Sequence, residues 1–248
     1  MIRSLVFATV FYGGTLLMLI FGIWLLVAPR SWAMAGLKLH GQLATWLLEA
    51  ICGTKLEVRG LEKLPQGACL VVSKHQSTWD TFGLIPLFRD PAMVAKAELK
   101  WLPLYGWFCL KFQHILVERT RPAVSLKKML ADAKAQAAKG REIVIFPEGT
   151  RMLPGAAPDY KPGYVALYEA LQVPCVPVAL NSGLYWPRRK LMRFPGTIVV
   201  EILDPLPAGL KRAEFRRTIE AQIEAACERL GAEALAGQQS PPKPVLSV

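Results

Sequence analysis

Two short runs without a charged or hydrogen-bonding side chain, Ala68-Cys69-Leu70-Val71-Val72 and Ile143-Val144-Ile145, each lead within a residue or two into a polar loop. Their length and β-branching make them strands, and apolar residues at every position mean burial on both faces. A strand of that kind lies inside a sheet that helices cover. The rest of the chain repeats the pattern. Strands are expected at residues 55–59, 68–73, 93–96, 114–117, 142–146, 173–180 and 197–203, the first of them an alternating edge strand. Helices are expected at 78–88, 124–138, 163–171 and 211–235. The fold class is therefore α/β: a layered domain over residues 54–236 with a largely parallel central sheet flanked by helices. Ligands in such a fold bind beyond the carboxyl ends of the strands, where both polar loops begin.

The amino-terminal part has a different character. Residues 4–29, lying between Arg3 and Arg30, include no charge. As one helix they would reach about 39 Å, enough for a hydrocarbon layer roughly 30 Å thick. The run is too long for the apolar part of a cleaved signal peptide, about 7–15 residues, so it reads as a retained membrane segment. In residues 31–51, Trp32, Leu39, Leu43, Trp46, Leu47 and Ile51 recur at helical spacing, and Gly53 is the stop. This second helix is expected to lie in the membrane interface on its tryptophans, in a hairpin with the first; the competing reading is core. Residues 1–53 are thus membrane-associating helices. Residues 237–248, with Ser240-Pro241-Pro242-Lys243-Pro244, read as a disordered tail.

A net charge of +11 and a pI near 9.6 call for an anionic partner or surface. Mean hydropathy of +0.28 with 52% hydrophobic residues is high for a soluble nucleic-acid binder, and no nucleic-acid module is recognisable. A phospholipid bilayer is the expected partner, and nucleic acid is not. The 5 cysteines are scattered without a CxxC, and the 3 histidines are far apart, which argues against a disulfide set and a zinc site. Reduced thiols facing the cytosol are the default.

In the first polar loop His75 and Asp80 are five residues apart. On one helix that spacing would turn the side chains about 140° from each other. The pair works only with His75 in the loop and Asp80 in the first turn of the next helix. There the carboxylate can accept the second imidazole N–H, fix the tautomer and stabilise the cation formed on proton uptake. Gln76, Ser77 and Thr78 are expected to leave backbone N–H groups free. Ser77 is not a convincing nucleophile, since no GxSxG elbow occurs. In the second loop, Phe146-Pro147-Glu148-Gly149-Thr150-Arg151, the glycine lets backbone approach an anion. Thr150 donates a hydroxyl there, and Arg151 offers a fork matched to phosphate. Arg119 is a further cation at a strand end. Singly, each has a bland reading: a structural histidine, a tight turn with a solvated ion pair, a surface arginine. Arg188-Arg189-Lys190 with Arg193, flanked by Trp186 and Phe194, is expected to face a membrane.

The combination is more specific than its parts. His75 to Asp80 (an HxxxxD motif), then Val117-Glu118-Arg119, then Phe146 to Arg151, then Val176-Pro177-Val178 resembles the four ordered blocks of the glycerolipid acyltransferase family. The likeness spans residues 56–203 and looks nearest to bacterial 1-acyl-sn-glycerol-3-phosphate acyltransferases. It implies an O-acyltransferase of phospholipid biosynthesis. Such an enzyme moves an acyl group from acyl-CoA or acyl-carrier protein to the 2-hydroxyl of lysophosphatidic acid, giving phosphatidic acid. It also implies His75 as general base, Asp80 as its orienting partner, and Arg119, Glu148, Gly149 and Arg151, with Thr150 between, as the acceptor site. A backbone N–H after His75 would hold the oxyanion, and Trp101, Tyr105, Trp107 and Phe108 would line an acyl groove or be aromatic core. No cofactor and no metal is implied beyond the acyl donor. The implied location is the bacterial inner membrane, with the site facing the cytoplasm. Two residues depart from the pattern: Gln113 where the family often has glycine, and Lys74 where it often has asparagine. A cation at 74 would either lower the base's pKa or add phosphate affinity. The alternatives are a related enzyme with another acceptor (glycerol 3-phosphate, a lysophospholipid or a lyso-aminolipid) and a non-catalytic membrane-surface binding protein.

Overall fold

A computed structural model describes residues 1–118 and 122–237; Arg119 and the tail residues 238–248 lie outside the described residues. The strands are β1 (Thr54–Arg59), β2 (Cys69–Ser73), β3 (Ala92–Lys96), β4 (Ile115–Val117), β5 (Glu142–Ile145), β6 (Cys175–Leu180) and β7 (Gly196–Ile202). They form one sheet in the order β1-β7-β6-β2-β5-β3-β4. Every neighbouring pair is parallel except β6 with β7. The helices are α1 (Ile2–Phe21), α2 (Arg30–Leu47), α3 (Asp80–Gly83), α4 (Tyr105–Lys111), α5 (Pro122–Ala137), α6 (Gly163–Leu171), α7 (Ser182–Tyr185) and α8 (Arg212–Ala236).

Alternation along β2 and β5 sorts the core into two layers. Leu70, Val72, Ile143 and Ile145 pack with Met129 of α5, Tyr164 and Tyr168 of α6, and Phe215, Ile219 and Ile223 of α8. On the other face Cys69, Val71 and Val144 pack with Phe7 and Phe11 of α1, Ala44 of α2 and Leu48 of the π-helical turn that follows it. The amino-terminal hairpin is therefore one outer layer of the sandwich, sharing a core with the sheet. Burying each such phenylalanine contributes about 2–3 kcal/mol.

The uncharged run is not one continuous helix. α1 stops at Phe21, Ile23–Leu26 forms a 3-10 turn, and α2 starts after Pro29. At Gly22 a Cβ would lie 2.5 Å from the Met18 carbonyl oxygen, so only glycine fits this turn. The hairpin is fastened to the domain near the start of α1 and at the turn that follows it. Arg193 N–H donates to Ser4 Oγ at 2.9 Å, and Lys111 Nζ donates to Leu26 O at 2.9 Å. Arg30 grips Asp90 through two hydrogen bonds of 2.7 and 2.5 Å, and Arg141 approaches the same carboxylate at 3.2 Å. α1 is long and apolar enough to cross a membrane, yet it lies along the domain. Its outward face, with Leu5, Tyr12, Leu16, Leu17 and Phe21, is exposed, as are Trp24, Trp32 and Trp46 beyond it.

The helix expected over 78–88 is also shorter. Only Asp80–Gly83 is α-helical, followed by a 3-10 turn at Ile85–Leu87 with Pro86 in it. A Cβ on Gly83 would come 2.2 Å from the Trp79 ring, so glycine here admits the buried indole. Of the aromatics at 101–108, Phe108 is buried with Phe112, Ala33 and Met34, whereas Trp101 and Trp107 are exposed.

Candidate active site

β2, β5 and β6 are adjacent, and their carboxyl ends release the three segments that meet at His75. After Ser73 the chain leaves the ladder, with Lys74 N–H still bonded to Val178 O at 3.0 Å. His75 Nδ1 then meets Asp80 Oδ2 at 2.9 Å. An ionised carboxylate only accepts, so Nδ1 carries the hydrogen and Nε2 is left with its lone pair. Asp80 is fully buried and its hydrogen-bonding capacity is filled. Oδ2 also accepts from Gln76 N at 2.7 Å and Ser77 N at 2.8 Å, and Oδ1 accepts from Ser182 Oγ at 2.5 Å. The His75 ring stacks on Phe146 with centroids 4.1 Å apart. It is therefore clamped in plane and in rotation, with 9% of the residue exposed. Among the described residues Nε2 has no hydrogen-bond partner.

The expected free N–H groups of the loop are thus corrected. Those of Gln76 and Ser77 are committed to Asp80, because the tight turn that brings the carboxylate back to His75 aims both at it. The Trp79 N–H is taken by Ser77 Oγ at 3.0 Å. Of the three expected N–H groups, that of Thr78 has no partner among the described residues.

The second loop is tied to the first. Met152 N–H donates to His75 O at 2.7 Å, and Arg151 Nη1 donates to Thr78 Oγ1. Gly149 takes φ +63°, which a turn of this shape favours in glycine. Thr150 and Arg151 are half-buried beside it. Arg151 has no carboxylate partner among the described residues. Glu148 turns the other way, into the protein. It is 1% exposed, with Oε1 3.1 Å from Lys74 Nζ. Burial pushes its pKa up, to about 7, against the pull of the Lys74 ammonium. Lys74 Nζ also donates to Glu224 Oε1 of α8 at 2.6 Å, and Tyr160 OH donates to the same oxygen at 2.8 Å. Burial alone would lower Lys74, but the two carboxylates outweigh it and raise the ammonium above its ordinary value. This lysine's charge is spent on two acids.

Two participants carried no sequence signal of their own: Ser182 and Gly183, whose N–H donates to Gln76 Oε1 at 3.1 Å. Both follow β6 closely, and the rule that polar residues after a buried strand form the site would have found them; Arg188, read from the sequence as membrane-facing, instead donates from Nη1 to Arg151 O at 2.8 Å. The stretch at 186–194 is not the uniform membrane-facing patch expected. Trp186 and Arg193 are buried against each other, the guanidinium 4.1 Å from the ring, and Arg188 turns toward the site; of the cations, Arg189 and Lys190 are the exposed ones, next to an exposed Leu191. Arg119 falls outside the described residues. Gln113 takes φ +57°, so the backbone keeps the left-handed turn that glycine would favour.

Residues 55–181 match the family model described as Acyltransferase. The chain is 38% identical over 161 residues to a 1-acyl-sn-glycerol-3-phosphate acyltransferase of Pseudomonas aeruginosa, covering 65% of this chain and 63% of that protein, less than two thirds of its length. It is 31% identical over 206 residues to the mouse 1-acyl-sn-glycerol-3-phosphate acyltransferase alpha, covering 81% of this chain and 71% of that protein. The crystal structure of the 1-acyl-sn-glycerophosphate acyltransferase of Thermotoga maritima superposes with a TM-score of 0.78, covering 96% of this chain and 98% of that one; at 23% identity it speaks for the fold alone. With a match over half its length, and a histidine–aspartate pair at the head of the matched strands, the chain belongs to the acyltransferase family.

Proposed function

We propose that the protein transfers an acyl group from a thioester donor, acyl-CoA or acyl-carrier protein, to the 2-hydroxyl of 1-acyl-sn-glycerol 3-phosphate. The observation that carries this reading is the unpartnered Nε2 of His75, fixed by Asp80, one loop away from the unneutralised guanidinium of Arg151. A glycerol phosphate fits between a base for its hydroxyl and a cation for its phosphate. Nε2 takes the 2-hydroxyl proton as that oxygen attacks the thioester carbonyl. Asp80 stabilises the imidazolium so formed. Collapse of the tetrahedral intermediate expels the thiolate, which recovers the proton from His75. The Thr78 N–H faces the oxyanion in this scheme, a role worth a few kcal/mol.

The reading places the protein at a bilayer, seated through the exposed apolar face of α1 and the tryptophans of the hairpin. Because α1 is tied down near its start and the turn after it is held by Lys111, the hairpin rests in one leaflet and the site opens beside it on the cytoplasmic side. Two names among the relatives support the acceptor. Purified protein, a panel of lysolipids and both donor classes, read as thiol release, form the test. Lysophosphatidic acid should be the preferred acceptor, and His75→Ala should abolish release while membrane association persists. Release that survives His75→Ala ends the proposal.

A further inference from the structure

Arg151 and Arg188 are both half-buried, and neither meets a carboxylate among the described residues. Arg151 is held by the Thr78 hydroxyl and Arg188 by the Arg151 carbonyl, both neutral acceptors. That carbonyl belongs to the peptide whose N–H, on Met152, donates to His75 O at 2.7 Å. One rigid peptide unit thus carries Arg188 on one edge and the catalytic loop on the other. It sets the Arg188 guanidinium within about 8 Å of the His75 carbonyl oxygen. Both cations are thus tied to one loop, and no carboxylate among the described residues neutralises either of them. By contrast, Lys74, on the same loop, is matched by Glu148 and Glu224.

We infer that Arg188 is a specificity residue, the second guanidinium of an anion site with Arg151, and that the pair selects a phosphate monoester over a phosphodiester or an uncharged headgroup. The inference rests on the proposed function for the chemistry of the acceptor. A monoester carries about −1.5 to −2 charge near neutral pH, so two guanidiniums neutralise it, whereas a phosphodiester with one charge leaves one of them uncompensated. Planar forks from two sides also suit three equivalent oxygens.

The test uses the full chain in zwitterionic micelles with three acceptors: lysophosphatidic acid, lysophosphatidylcholine and 1-acylglycerol. In Arg188→Gln the amide can still bond the Arg151 carbonyl but the charge is gone. The expected result is a 10- to 100-fold fall in the kcat/KM ratio of lysophosphatidic acid over 1-acylglycerol, carried by KM. KM for the acyl donor should move less than threefold. Arg188→Lys should regain part of the ratio, and inorganic phosphate should compete less well against the glutamine variant. An equal fall in kcat on all acceptors would make Arg188 a mere prop for the Arg151–Met152 peptide and overturn the inference. So would an effect seen only on anionic vesicles, which would assign Arg188 to the lipid surface. If wild type itself shows no preference for the phosphorylated acceptor, the proposed function fails. If wild type and Arg151→Gln behave as expected but Arg188→Gln does not differ from wild type, this inference alone fails.

Discussion

Replacing Lys74 by methionine should make the protein's stability depend on pH in a way that can be worked out beforehand. Lys74 Nζ lies 3.1 Å from Glu148 and 2.6 Å from Glu224, and the side chains of Lys74 and Glu148 are 3% and 0% exposed. Burial holds the Glu148 carboxyl proton up to about pH 7, against 4.5 for an ordinary glutamate. The folded chain thus binds a proton between those values that the unfolded chain has released. Stability falls as pH rises through that window, by about 1.4 kcal/mol per unit or roughly 3 kcal/mol in all, and the fall stops above pH 7. Without the ammonium the carboxyl stays protonated to a higher pH, so in Lys74→Met the fall continues. Below pH 7 Glu148 is neutral in both proteins, and the loss of the Lys74–Glu224 contact is an offset common to all three pH values. The gap should then open by about 1.4 kcal/mol for each pH unit above 7, close to 3 kcal/mol at pH 9. Urea unfolding in detergent micelles at pH 6, 7.5 and 9, followed by tryptophan fluorescence, measures it. Adding Glu148→Gln should remove the extra slope. A gap that is the same at all three pH values, or that survives in the double variant, would refute the pairing as described.

Asp80→Asn removes the anion that three N–H groups and one hydroxyl address. On the proposed mechanism kcat should drop by about 10³–10⁴ with KM little changed, read by thiol release. Ser182→Ala leaves Asp80 Oδ1 without its donor in a fully buried setting. A fall in kcat of about tenfold is expected, with partial rescue by Ser182→Thr. Gln113→Gly relieves a left-handed backbone at φ +57° and should stabilise the fold by about 1 kcal/mol in the same urea assay.

Much of this was legible because it is local. An apolar strand followed at once by His75 or by Gly149 and Arg151 announces a loop at a sheet's carboxyl edge, and the parallel order of β2 and β5 puts both loops together. What spacing does not encode is which distant residue answers a buried group. The sequence left two roles open for Lys74; the fold supplies a third, because α8 carries Glu224 back under the loop, 150 residues on. The overlong helix at 78–88 came from following apolar spacing past Gly83 and Pro86. Each breaks the helix for a reason readable in the residue type: glycine to admit Trp79, proline for want of an N–H. Gly22 ended α1 in the same way, although the absence of charge suggested continuity.

The segment after β6 also explains how an apolar surface and a polar site coexist a few residues apart. Ser182 holds Asp80. Four residues later Trp186 packs edge-on against Phe7 and Phe11 of α1, and Phe82, two residues after Asp80, touches Phe11 and Trp186. The same aromatic cluster therefore buttresses the acid–base pair from behind and carries the helix whose far side is bare apolar surface. Close-packed cores transmit displacement instead of absorbing it, so the hairpin and the His75–Asp80 pair move as one body. On the proposed function, wherever a bilayer fixes α1, it fixes the depth of His75 and of the two rim arginines. A lysolipid headgroup can then reach the base while its acyl chain stays in the leaflet.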